Sequence, residues 1–113
     1  MGPEPRLSRL AKNEAVFREV NERIEDLADT FHLTAQPLDL VCQCGDAKCV
    51  ERITMTRTEY EQLRSESHQF AVHTGHEIPA VETVVERRKG YDVVQKDRGI
   101  PEQVAEQTDP RSH

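Results

Sequence analysis

The chain has 113 residues, which is the usual size of one domain. It contains no Trp, three Phe, two Tyr and 35% apolar residues in all, so its hydrophobic core must be thin. Charged residues make up 32% of the chain, above the usual share of about a quarter. The net charge of −6 argues against sequence-independent nucleic-acid binding, which needs Lys and Arg to displace counterions from phosphates.

The distribution of apolar residues predicts a cytoplasmic protein. No apolar run approaches the roughly 18 residues that a membrane-spanning helix needs. The first residues, Met1 to Pro5, contain no hydrophobic segment typical of a signal peptide. In a reducing compartment, cysteines that crowd together are typical of metal or redox chemistry rather than of disulfides.

The N-terminal quarter predicts a disordered tail over residues 1–6 and an amphipathic helix over residues 7–31. Apolar residues recur at alternating steps of three and four, which is the spacing of a coiled-coil seam. One heptad position holds Leu10, Phe17, Ile24 and Phe31, and the other holds Asn13, Val20 and Leu27. A buried Asn13 would fix the register of such a seam.

Two interpretations of this helix stay open. The apolar stripe packs on the protein's own sheet, or it pairs with a protein partner or a second copy of the chain. In the second case the partner interface consists of Phe17, Val20, Ile24 and Leu27.

The rest of the chain predicts short strands and helices. After a linker ending at Pro37, β-prone segments are expected over residues 38–44 and 50–56. Thr56 and Glu59 form a capping-box pattern that begins a helix over residues 57–66. Further strands are expected at 70–72, 81–88 and 91–96, with a turn at Lys89-Gly90 between the last two. A helical turn or two at 101–107 follows, and residues 108–113 are expected to be a disordered tail.

These elements predict an α+β fold. It comprises the long N-terminal amphipathic helix, a small and mostly antiparallel sheet with a zinc knuckle, and a short helix. Residues 37–107 are expected to form the zinc-stapled α+β domain.

Three cysteines within eight residues, in the pattern C-x-C-x4-C, are the most informative motif. On a strand, residues i and i+2 project from the same face, so Cys42 and Cys44 would point together. Gly45 and the short loop after it would return the chain and bring Cys49 to the same point. Zinc favours such sulfur ligands and completes a structural site with a fourth Cys or a His.

The fourth ligand must be a histidine, because no further cysteine exists. His76 is preferred, since Gly75 would let the backbone approach the metal and Glu77 would orient a ring. His73 is the alternative fourth ligand, and His68 also stays open.

The motif indicates a structural Zn²⁺ rather than a catalytic one. A catalytic zinc keeps an open position for water, and the His-x-Glu and CxxC signatures of zinc deaminases are absent from the sequence. A redox pair would show a CxxC motif at the start of a helix.

Four segments carry a resemblance to a group of proteins: residues 13–24, Cys42 to Ile53, Gly75-His76-Glu77 and Val84-Val85-Glu86-Arg87. Over most of residues 13–109 the chain resembles small actinobacterial-type zinc-binding proteins of unknown function. The resemblance implies a metal site with His76 as its fourth ligand, and it implies no activity.

The sequence therefore predicts a non-enzymatic, zinc-stabilised interaction or regulatory module. The alternatives are a thiol or zinc redox sensor, a zinc-dependent hydrolase and a weak nucleic-acid-binding regulator.

Overall fold

The computed structural model describes residues 5–33 and 35–112. In chain order its elements are α1 (Pro5–Thr30), β1 (Leu38–Val41), β2 (Arg52–Met55), α2 (Arg57–Arg64), β3 (Gln69–His73), β4 (Glu82–Arg88), β5 (Tyr91–Lys96), α3 (Ile100–Gln107) and a 3-10 turn (Pro110–Ser112). The α+β class with a long N-terminal helix is confirmed. Residues 1–4 of the expected N-terminal tail lie outside the described residues, and the helix begins at Pro5. Among the described residues, no helix combines the length and apolar character that a bilayer crossing requires.

The strands form two antiparallel sheets instead of the single sheet expected. β1 pairs with β2, with Leu40 opposite Ile53. In the second sheet β5 lies between β3 and β4, with Ala71 opposite Val93. β4 and β5 form the expected hairpin, in which Gly90 adopts a φ of +89° at the turn.

The strand expected over residues 38–44 ends three residues early, at Val41. The reason is that Gln43 leaves the first sheet and bonds to the second one. Its backbone N–H donates to the Ala71 carbonyl at 2.9 Å, and its side-chain Oε1 accepts from the Ala71 N–H at 2.8 Å. Gln43 is fully buried and ties the cysteine segment to β3.

The core consists of two clusters. The first lies between the small sheet, α2 and the second sheet, and it contains Leu38, Leu40, Ile53, Met55, Tyr60, Leu63, Ala71, Tyr91 and Val93. The second contains Cys42 and Cys44 together with Phe70, Val72, Val94 and Ala105. Two of the three cysteines are thus part of the packed interior.

The predicted capping box begins α2. Glu59 N–H donates to Thr56 Oγ1 at 3.1 Å, and Thr56 N–H donates to Glu59 Oε1 at 3.0 Å. These reciprocal bonds satisfy amides that the first turn of a helix leaves unpaired. Tyr60 and Leu63, which follow at helical spacing, are buried in the first cluster.

α1 docks on the rest of the protein mainly through a polar face and only in part through its apolar seam. Over residues 9–30, the part of the helix whose burial the structure describes, the buried residues are Glu14, Arg18, Asn21 and Glu25, which share one face of the helix. The apolar heptad seam of α1, which the sequence predicts to be buried, lies beside this polar face. Phe17 and Ile24 are half-buried, and Ile24 packs against the first core cluster, whereas Val20 and Leu27 are exposed.

The buried polar residues of α1 bond to backbone atoms and to opposite charges. Arg18 donates to the Ser67 and Ala105 carbonyls at 2.7 and 2.6 Å, and its guanidinium lies 4.4 Å from the centre of the Phe70 ring. Asn21 makes two hydrogen bonds to the backbone of Val41, at 3.0 and 2.8 Å. Buried polar groups are tolerated when they are paired in this way.

Of the tail expected to be disordered at 108–113, the structure describes residues 108–112, which contact the rest of the protein. Asp109 is buried and forms an ion pair with Arg64, whose side chain is fully buried. Arg111 donates to Glu22 and to Glu61 at 2.6 Å each. These charged contacts fasten the segment to α1 and α2, although its composition lacks apolar residues. His113 lies outside the described residues.

Candidate metal centre

The three cysteines lie on the segment that joins β1 to β2. Cys42 directly follows β1, and Cys49 closes a tight turn before β2. In that turn the Asp46 carboxylate accepts from the Lys48 N–H at 2.9 Å, and the Asp46 carbonyl accepts from the Cys49 N–H at 3.0 Å. The turn brings Cys49 back toward the first two cysteines.

Gly45 lets this segment pack directly against α1. Its φ is +82°, which L side chains rarely adopt, and a Cβ there would lie 2.9 Å from Glu14 Cγ and 3.0 Å from the Leu10 carbonyl oxygen. Asn13 Nδ2 donates a 2.8 Å hydrogen bond to the Gly45 carbonyl. Asn13 therefore anchors the cysteine segment within the chain, a role that its position in the seam did not indicate.

His76 joins the cysteines from the turn that follows β3. Its N–H donates to the His73 carbonyl at 2.9 Å, and the intervening Gly75 has a φ of +83°. A Cβ at Gly75 would meet nothing within 4 Å, so the glycine serves the turn conformation and not the close approach we expected. Glu77, expected to orient a ring, has an Oε2 atom that is buried without a hydrogen-bond partner in the described part of the chain.

Cys42, Cys44, Cys49 and His76 lie close enough together to hold one metal ion. Their ligand atoms all fall within 4.8 Å of one another. His76 Nδ1 lies 3.7 Å from Cys42 Sγ and 3.7 Å from Cys49 Sγ. In a tetrahedral zinc site, the usual Zn–S and Zn–N bond lengths place such a sulfur and nitrogen about 3.6 Å apart. The observed spacing thus matches a shared ion at the centre of the group.

The other candidate histidines lie outside this group. His73 is next to it, with its ring centre 5.0 Å from that of His76, but its Nε2 lies 3.6 Å from a carboxylate oxygen of Glu51. His68 Nε2 lies 2.6 Å from Glu106 Oε1. With Glu102 these two form a second group of potential ligands, two of which are carboxylates at the surface of α3.

The close approach of the three thiols shifts their pKa values. The hydrogen bond with the Cys42 thiol lowers the pKa of the Cys44 thiol to about 5. The same hydrogen bond raises the pKa of Cys42, and burial raises the pKa of Cys49. Protein groups alone therefore favour one thiolate among three sulfurs. A divalent cation would displace the remaining protons and stabilise three thiolates together.

The sequence did not predict the residues that hold the cysteine segment against α1 and β3. Asn13 and Glu14 contact Gly45, and Gln43 holds the segment against β3. A signal for the α1 face was present, because Glu14, Arg18, Asn21 and Glu25 recur at helical spacing. Such polar residues do not indicate a packing face by themselves, since charged side chains are rarely buried.

Comparisons of the chain with protein-family models, with curated proteins and with solved structures found no match. The resemblance to small actinobacterial-type proteins therefore stays a prediction. What the chain does has to be inferred from its own geometry and chemistry.

Proposed function

We propose that this chain is a non-enzymatic interaction or regulatory module stabilised by one structural Zn²⁺, with Cys42, Cys44, Cys49 and His76 as ligands. The observation that carries the proposal is the convergence of three thiols and one imidazole within 4.8 Å. Thiolates favour zinc over Mg²⁺ or Ca²⁺, and Cys₃His is a common donor set of structural zinc sites.

Burial and ligand number support a structural role for the ion. Four protein ligands fill the tetrahedral positions of Zn²⁺, whereas a catalytic zinc keeps one for water. Cys42 and Cys44 are 3% and 4% exposed and pack in the second core cluster, so the ion would link the cysteine segment to the interior. No contact among the described residues specifically favours the hydrolase or the nucleic-acid-binding alternative.

The apolar stripe of α1 is the proposed partner surface, and we define it as Val16, Val20, Leu27 and Phe31. These side chains are 55%, 36%, 57% and 67% exposed, beside the half-buried Phe17 and Ile24. Contiguous exposed apolar residues mark protein-interaction sites. A protein partner, or a second copy of the chain, would cover this stripe in the cytoplasm, where the thiols stay reduced.

Native mass spectrometry of protein purified without added metal tests the zinc site. We expect one Zn²⁺ per chain in the wild type and in His73→Ala, the matched control outside the ligand group. Cys44→Ser and His76→Ala should each lose the ion or bind it far more weakly. Wild-type protein with no bound transition metal would contradict the proposal.

Substitutions in the stripe test the partner surface separately from the metal. Leu27→Glu together with Val20→Glu should abolish partner capture or self-association, measured by pull-down and by light scattering, while zinc content stays unchanged. Val85→Glu is the matched control, because Val85 is 49% exposed on β4. An unchanged mass and unchanged capture in the double variant would show that the stripe is merely exposed.

A thiol redox sensor is the second candidate, because the lowered pKa of Cys44 favours a reactive thiolate next to two other thiols. Hydrogen peroxide would oxidise two thiols to one disulfide and be reduced to two waters, and the remaining two ligands would release the ion. Mass spectrometry should then show zinc-free protein that is two hydrogen atoms lighter than the reduced, metal-free chain. Retention of zinc at peroxide levels that oxidise glutathione would argue against sensing.

A further inference from the structure

A half-open cavity of about 270 Å³ lies between α1, α3 and the second sheet. Apolar side chains form most of its wall, including Leu10 from α1, Phe70 from β3, and Ile100 and Val104 from α3. Glu14 and Lys96 also line it. Voids larger than a water molecule are few in a small domain, because empty apolar space forfeits packing contacts.

Two buried charged side chains, Arg18 and Lys96, lie beside the cavity between α1 and α3. Arg18 lies over the Phe70 ring and bonds to the Ala105 carbonyl, so it occupies the space beside the cavity where the two helices approach each other. Lys96 Nζ lies 5.1 Å from the centre of the same ring. Ile100 is left 59% exposed at this side of α3. Apolar residues of α3 are thus available to a ligand.

At pH 8, above the pKa of about 7 that burial gives Glu14, the polar part of the cavity carries net negative charge. Lys96 Nζ donates to Glu82 Oε1 at 2.6 Å and also to Glu14 Oε2, so two carboxylates share one ammonium group. Glu82 Oε2 accepts a hydrogen bond from the Ile78 N–H at 2.9 Å. Within the described residues, Glu14 Oε1 has no hydrogen-bond partner. A ligand's hydrogen-bond donor is therefore favoured here, and a ligand's carboxylate is repelled.

We propose that this cavity binds a small uncharged alcohol or phenol, whose apolar body contacts Leu10, Phe70 and Val104 and whose hydroxyl donates to Glu14. A cavity of roughly 150 Å³ lined by apolar side chains holds benzene. The larger volume here accommodates a two-ring or medium-chain body. None of the four proposed metal ligands lines this cavity, although Phe70 packs beside Cys42 and Cys44 in the second core cluster.

The test uses 2-naphthol as the probe, at pH 8 so that Glu14 is ionised, on metal-loaded full-length protein, with binding followed by calorimetry and by backbone NMR shifts. We expect saturable binding with a dissociation constant below about 1 mM, as suits a ligand of this size. Naphthalene-2-carboxylate, which has the same body and a negative charge, should bind at least about tenfold more weakly because two carboxylates share one ammonium at the site.

Two variants and a control locate the site. Val104→Phe should fill the cavity from a half-buried position and weaken 2-naphthol binding at least about tenfold, since cavity volume is lost. Glu14→Gln keeps the shape and should reduce the preference for 2-naphthol over the carboxylate. Val85→Phe, at an exposed position of β4 that does not line the cavity, should leave both affinities unchanged.

Three outcomes would overturn the proposal. The first is the absence of saturable binding, and the second is equal affinity for the alcohol and the carboxylate. The third is unchanged binding in Val104→Phe. If Val104→Phe instead abolishes a dimer seen by light scattering in the wild type, a second copy fills the cavity and the small-ligand proposal is wrong.

Discussion

The cysteine segment and the buried face of α1 both place polar groups inside a small protein, and they do so in different ways. On α1, Glu14 meets Lys96, Arg18 meets two carbonyls and Asn21 meets the backbone of Val41. In the cysteine segment, three sulfurs and one imidazole meet one another. The helix face is therefore paired mostly by protein groups, with Arg18 Nε left buried without a partner among the described residues, whereas the ligand atoms of the cysteine cluster lie close enough to hold a metal ion. The comparison teaches that burial of polar residues can indicate either internal pairing or a missing ligand.

Metal removal is expected to have the largest effect, because the proposed ion would bind all four side chains of the cysteine cluster at once. Structural zinc contributes about 10–16 kcal/mol of apparent binding free energy at neutral pH, comparable with the whole stability of a domain. Chelation should lower the unfolding free energy by more than about 5 kcal/mol. Thermal unfolding with and without a strong chelator measures it.

The control for metal removal is a variant that lacks one of the four proposed ligands. Cys44→Ser should melt at the temperature of the chelated wild type and should not respond further to chelator. A wild-type protein that melts unchanged in chelator would show that the cysteine cluster is completed by protein groups, as the α1 face mostly is.

The same comparison explains which parts of the structure could be predicted from the sequence. The grouping of Cys42, Cys44 and Cys49 depends on spacings of a few residues, on Gly45 and on one tight turn, all of which are local. The capping box at Thr56 and the hairpin at Gly90 are local in the same sense. Sequence patterns describe such features well because few alternatives exist at short range.

The face of α1 that docks could not be predicted, because its stabilising partners lie far along the chain. Glu14 pairs with Lys96, and Arg18 bonds to Ala105. Helical periodicity ranks residues by their own hydrophobicity, so the stripe with Leu27 was expected to be buried and the stripe with Arg18 to be exposed. The contacts of residues 108–112 could not be predicted for the same reason, since Arg64 fastens Asp109.

Arg18→Met should have the next largest effect, since it removes the most deeply buried charge of the α1 face. The two carbonyls that Arg18 satisfies would remain buried without a donor, at about 1–3 kcal/mol each. We expect a loss of about 3 kcal/mol in urea unfolding. Arg23→Met is the matched control on the same helix, because the exposed Arg23 pairs only across the surface with Glu19 at 3.6 Å. A similar loss in both variants would contradict the internal-pairing account.

Gly45→Ala should lower the unfolding free energy more than Gly75→Ala does. This difference tests how closely α1 packs against the cysteine segment. Both glycines have positive φ, which costs an L residue about 1 kcal/mol. Only at Gly45 would the new Cβ also collide with the Leu10 carbonyl, at 3.0 Å. We expect losses of about 2–3 kcal/mol at Gly45 and about 1 kcal/mol at Gly75. Equal losses would mean that α1 moves freely relative to the cysteine segment.

The smallest expected effect is the pH dependence that Glu14 gives to the unfolding free energy. It measures the cost of burying one charge on α1. Burial raises the pKa of Glu14 from 4.5 to about 7, although Lys96 opposes that change. Because the folded-state pKa lies above the unfolded one, the favourable contribution of the proton is greatest below pH 4.5 and is lost as the pH rises through 7.

Between pH 6 and pH 8 this group alone should therefore reduce the unfolding free energy by about 1 kcal/mol. Glu14→Gln, measured in saturating zinc, should lose that part of the slope and keep the opposite slope that arises because zinc displaces thiol protons. Urea unfolding at three pH values measures both. An identical slope in the wild type and in Glu14→Gln would mean that the ion pair with Lys96 fully offsets the cost of burying the Glu14 carboxylate. The charge of Glu14 would then be completely paired within the protein.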